Sequence, residues 1–121
     1  MTRVYRVQDS EGRGPWRPGF SMTWMDDDVA DRQASLPSII EEFGMEALEK
    51  AFSSGRYHAT ACRSMDELRN WFTPEEMRRL ASFRFSIVEI RDADIVLQGE
   101  RQAVIARDRP MAVGVQLRRW P

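Results

Sequence analysis

Upstream of Phe83 the apolar residues recur every three or four positions, and downstream of it they alternate. This change of period restricts the chain to folds that join helices to a sheet. Three helix starts are marked in the upstream part. Ser38-Ile39-Ile40-Glu41, Ser64-Met65-Asp66-Glu67 and Thr73-Pro74-Glu75-Glu76 each set a hydroxyl N-cap three residues before a Glu, the spacing of a capping box. Gly44 interrupts the first pattern, which reads as one kinked helix or two short ones, closed by Ser53-Ser54-Gly55. Downstream, Phe85 to Ile90, Asp94 to Leu97, Gln102 to Ala106 and Met111 to Leu117 read as four strands separated by short polar turns. Arg3 to Val7 reads as a fifth strand at the N-terminus.

The expected fold is therefore α+β, a single domain over residues 1–121. It comprises an aromatic-rich loop (8–36), a helical middle (38–82) and a β-meander (84–118), so that a mostly antiparallel sheet is flanked by about three helices. Gly12, Gly14, Pro15 and Pro18 exclude regular structure from the start of the loop. Trp16, Phe20, Trp24 and Met25 stud it, and aromatics that bury about 150–250 Å² each are expected to fold over the core or a pocket.

With 121 residues, 42% apolar and 31% charged, the chain is long enough for one core and too short for two. No run approaches the roughly 20 apolar residues of a membrane span, and no apolar leader follows Met1. A single cysteine cannot form an internal disulfide, so the expected compartment is the cytoplasm. One Cys and one His also fall short of the three or four ligands of a zinc site, so no metal is expected. A net charge of −1 argues against nucleic acid as a general partner. The charges are nonetheless segregated, with acids at Asp26, Asp27, Asp28 and Asp31 and cations at Arg107, Arg109, Arg118 and Arg119. Of 18 cations, all but Lys50 are arginine, the residue suited to bidentate contacts with carboxylates and phosphates.

Chemistry-bearing residues concentrate between Gly55 and Glu76, which hold both the only His and the only Cys. His58 is the one side chain that titrates near neutrality unaided. Cys62 precedes the helix start at Ser64, but on an extended strand it lies about 13 Å from His58, too far for a Cys-His dyad. Ser64, at a helix N-terminus, and Tyr57, at a strand end, could together receive a phosphate-bearing ligand. Glu100 and Gln102 lie at the start of a strand, where a spacing of two puts both side chains on one face.

The succession Val4-Tyr5-Arg6, Gly12-Arg13-Gly14-Pro15, Gly55-Arg56-Tyr57-His58-Ala59, the helix from Ser64 to Phe72 and Gly99-Glu100-Arg101-Gln102-Ala103-Val104-Ile105 resembles small phage and prophage proteins with an ADP-ribosyltransferase-like core. The resemblance implies NAD as the cofactor and a host macromolecule as the target. It implies that Arg6 holds the NAD phosphate or ribose, that Tyr57 stacks on nicotinamide, and that Gln102 stands where the family has its catalytic Glu. That substitution is a departure, because a neutral amide does not stabilise a developing oxocarbenium ion. Either Glu100 takes the role or the protein binds without transfer. The alternative expectation is a non-catalytic phage-encoded inhibitor docking onto a host anti-defence complex. It draws on small size, the aromatics Trp16, Phe20 and Trp24, and the segregated charges, all suited to a protein partner.

Overall fold

The computed structural model describes residues 3–15, 32–33, 36 and 38–119. Trp16, Phe20, Trp24, Met25 and the Asp26, Asp27, Asp28 and Asp31 run lie outside the described residues. In chain order the elements are β1 (Val4–Gln8), α1 (Ile39–Phe43), α2 (Met45–Phe52), β2 (Tyr57–Ala61), α3 (Met65–Trp71), α4 (Pro74–Ser82), β3 (Ser86–Ile90), β4 (Asp94–Gln98), β5 (Ala103–Arg107) and β6 (Gln116–Arg118). This is an α+β domain.

The strands form two three-stranded antiparallel sheets, ordered β1-β3-β6 and β2-β5-β4. They meet where Tyr5 and Cys62 exchange backbone hydrogen bonds of 2.7 and 2.8 Å. The expected meander is thereby corrected. β3 and β4 are consecutive in the chain but belong to different sheets, and only β4 and β5 pair as sequence neighbours. The reason is visible in β3, where Ile87, Val88, Glu89 and Ile90 are all buried. A strand covered on both faces sits centrally and takes neighbours on both edges, and alternation alone does not say which neighbours. The last expected strand is also shorter. A turn closed by the Val113 N–H on the Pro110 carbonyl (3.1 Å) and a left-handed Gly114 (φ +66°) delay extended structure until Gln116.

Register assigns the faces. Val4 opposes Ile90 and Arg6 opposes Val88 in one sheet, while Ala59 opposes Ile105 and Ala61 opposes Ala103 in the other. Val4, Val88 and Ile90 pack with Ala61 and Ile105, joined by Ala93 and Met111, to form the core between the sheets. The opposite face of the first sheet presents Val7 and Ile87, which pack with Leu68 and Trp71 of α3 and Met77 and Leu80 of α4. Burial of each such side chain is worth about 1.5–3 kcal/mol.

The helix starts are those of the capping patterns. The Ser38, Ser64 and Thr73 hydroxyls accept from the N–H groups of Glu41, Glu67 and Glu76. At Thr73 the box is complete, because Glu76 Oε1 also accepts from the Thr73 N–H at 2.7 Å. Gly44 (φ +81°) splits the first helical stretch into α1 and α2, and this left-handed backbone is open to glycine at little steric cost. The helical middle thus contains four helices among the described residues.

Candidate functional site

The sheet junction creates a cavity of about 20 Å³, lined in part by Arg6, Thr60, Cys62, Trp71 and Gln102. That is room for roughly one water, whereas pockets for drug-sized ligands run to about 300 Å³ and more. Arg6 is buried there and its guanidinium is hydrogen-bonded to the protein itself. Nε donates to Gln8 Oε1 (2.8 Å), Nη1 to the Thr60 carbonyl (2.9 Å) and Nη2 to the Gly12 carbonyl (2.8 Å). Burial lowers its pKa to about 10, partly opposed by nearby Asp9. Gln8 extends the network by donating to the Met111 carbonyl at 2.9 Å. One guanidinium therefore ties β1 to β2 and to the turn after β1.

Gln102 faces the same cavity but engages Glu42 of α1. Its Nε2 donates to Glu42 Oε2 at 3.1 Å, and Glu42 Oε1 accepts the N–H groups of Arg101 (2.9 Å) and Gln102 (3.3 Å). Gly99 makes this approach possible, since a Cβ there would lie 1.9 Å from Glu42 Oε1. Glu100 is exposed in the turn before β5, on an open groove of about 630 Å³ shared with Glu42 and Arg101. Because β5 begins only at Ala103, strand alternation does not govern residues 100 and 102. Gln102 is buried while Glu100 faces solvent.

Arg6, Cys62 and Gln102 are thus brought to one cavity, and Tyr57, His58, Ser64 and Glu100 are not. Tyr57 opposes Arg107 and Ala61 opposes Ala103, so Tyr57 and Gln102 occupy opposite ends of the β2–β5 ladder, about 16 Å apart. Tyr57 is half exposed. His58 Nε2 lies 3.2 Å from the Ser54 hydroxyl, and its ring meets the Phe52 ring edge-on at 5.2 Å. The Ser64 hydroxyl caps α3 by accepting the Glu67 N–H at 3.1 Å. Cys62 is buried at the sheet bridge. Burial, reinforced by the charges of Glu67 and Glu42, pushes its thiol up to about 12, which opposes thiolate chemistry.

Three residues passed over in the sequence prove central, Gln8, Glu42 and Glu89, and so does Arg107, which the sequence showed only as part of a cation cluster. Arg107 is fully buried. It donates to the Pro110 (3.1 Å) and Val113 (2.7 Å) carbonyls and pairs with Asp92 at 2.9 Å. Glu89 lies beneath Arg91 and Arg118. Burial alone would raise its carboxyl, but the hydrogen bonds from the two arginines outweigh that and hold it at about 2. Gly99 was the available signal for Glu42, because a turn glycine often marks a close approach. Nothing in the local pattern distinguishes the other three.

The family model for the bacteriophage T4 Y00F protein matches residues 1–117. The chain belongs to the bacteriophage T4 Y00F protein family. The match covers all ten elements up to Arg118 except that last residue and supports a phage protein, with no activity attached. No curated protein and no solved structure matches the chain at a significant level. No helix among the described residues is long and apolar enough to cross a membrane.

Proposed function

We propose that the protein acts by binding, as a non-catalytic phage interaction protein that docks onto a protein of the bacterial host. The observation carrying this reading is the engagement of the side chains best suited to chemistry. Arg6 holds three acceptors of its own chain, Gln102 holds Glu42, and the Cys62 thiol is kept protonated by burial. The surface, by contrast, exposes large apolar groups such as Met45, Phe52 and Leu117. Such groups supply binding energy when a partner covers them.

The test is capture from lysate of a bacterial host with the tagged protein, run beside calorimetry with NAD. The expected result is a saturable, stoichiometric host protein and no heat from NAD. A second reading, an NAD-binding protein of the ADP-ribosyltransferase type, is favoured by one observation, the shared lining of the junction cavity by Arg6 and Gln102. Saturable NAD binding that disappears in a folded Gln102→Ala variant, with label transferred to a host macromolecule, would establish that reading instead.

A further inference from the structure

The outer face of the β1-β3-β6 sheet is divided. Val7 and Ile87 lie under α3 and α4 and Tyr5 packs against the same cluster, whereas Glu89 and Gln116, which continue the row from Tyr5 across the other two strands, lie beyond that cover. Arg91 and Arg118 both bond the Glu89 carboxylate, and the Arg118 guanidinium sits 5.9 Å from the Tyr5 ring centre. Arg3 precedes Val4, and Arg91 follows Ile90, the partner of Val4, so Arg3 and Arg91 flank the same end of the β1–β3 ladder. Only Nε of Arg91 bonds Glu89. Its two terminal nitrogens and the whole of Arg3 have no partner among the described residues. This quarter of the molecule therefore carries three arginines against one carboxylate.

β6 borders that patch and is an edge strand of its sheet among the described residues. Its three residues are all exposed, and Leu117, at 73%, is the most exposed large apolar side chain among the described residues. Leu117 opposes Val88 of the inner face, whereas Gln116 and Arg118 share the face of Glu89. A strand laid along the open edge would therefore meet Leu117 on one side and Arg118 on the other, with Arg91 one strand and Arg3 two strands behind β6 on that face.

Resting on the reading of the protein as a binder, we propose that β6 is its docking edge and that it receives an extended protein segment in which acidic and apolar residues alternate. Backbone pairing would supply affinity, while Leu117 and the arginines select the side chains. The complementary charge singles out this occupant. A second copy is disfavoured because joining two β6 edges brings Arg118 and Arg119 of both chains together.

The probe is a capped Glu-Val-Glu-Val-Glu-Val peptide titrated by calorimetry into the full-length protein. Controls are a Lys-Val-Lys-Val-Lys-Val peptide and a single-stranded oligothymidylate. Binding of the acidic peptide alone is expected, weakening with salt and falling about tenfold or more in Leu117→Lys and in Arg3→Ser/Arg91→Ser. Circular dichroism checks that each variant stays folded. Equal binding of both peptides, no binding, or indifference to Leu117→Lys overturns the proposal. So does binding of the oligonucleotide in place of the peptide, or a dimer that Leu117→Lys dissolves. Host capture that survives Leu117→Lys removes β6 as the docking edge but leaves the binder reading intact. Failure of capture by the unaltered protein removes the reading itself.

Discussion

The inner and outer arginines of this molecule present the same chemical group in opposite conditions. Arg6 and Arg107 are buried and donate to backbone carbonyls, Arg6 to Thr60 of β2 and to Gly12, Arg107 to Pro110 and Val113. Arg91 and Arg118 lie on an open sheet face, where they grip a buried carboxylate from above and remain in contact with solvent. The first pair acts as internal fastening, with a planar fork that satisfies several acceptors at once. The second leaves donors pointing outward. An arginine-rich sequence is therefore not by itself evidence of a binding protein; the fate of each guanidinium decides.

Mutation can break this contrast, beginning with the inner set. Arg6→Met should cost about 3–5 kcal/mol in denaturant unfolding, because it strips the Thr60 and Gly12 carbonyls and Gln8 of a buried donor. A loss under 1 kcal/mol would mean the network is dispensable. Gly99→Ala should cost about 1–3 kcal/mol by driving Glu42 out of its turn, leaving the Gln102 amide without that acceptor. A crystal structure of the variant would show α1 displaced.

The outer set should behave differently. The Glu89 carboxyl is held at about 2, below its ordinary 4.5, so its contribution is complete above pH 4.5 and is lost as pH falls toward 2. Glu89→Gln should lower stability near neutrality and flatten the decline between pH 4.5 and 2, as read from urea midpoints across that window. Arg91→Ser, which takes away one of the two donors on buried Glu89, should cost about 1–2 kcal/mol, and Arg3→Ser, smallest of all, no more than about 0.5 kcal/mol. If either rivals Arg6→Met, the division into inner and outer arginines fails.

Much of the fold was legible because its signals are local. The hydroxyls of Ser38, Ser64 and Thr73 cap helices where their spacing to Glu predicts, and Gly44 marks the break between α1 and α2. Strand existence was legible from alternation, but partnership was not. The pairing of β3 with β1 and β6 depends on which distant edges are free once the core closes. The candidate site was less legible still. Arg6 and Gln102 do share a cavity, yet Tyr57 and Gln102 lie at opposite ends of one strand pair, a separation set by the β2–β5 register. The Gln102–Glu42 contact joins positions 60 apart in the chain, beyond the reach of any short motif.

The pairing of β1 with β3 has a consequence for how the protein is made. Val4 must await Ile90, and Gln8 must await Ser86. At roughly 5–20 residues per second, a ribosome needs on the order of ten seconds to add the chain between them. Throughout that interval the first strand lacks its ladder partner, with only the Tyr5–Cys62 bridge within reach once residue 62 has been added, and α3 and α4 exist before the sheet they will cover. Nascent chains halted before residue 86 should therefore show helix without β1 protection, and shielding of the first strand should arrive abruptly once β3 has emerged.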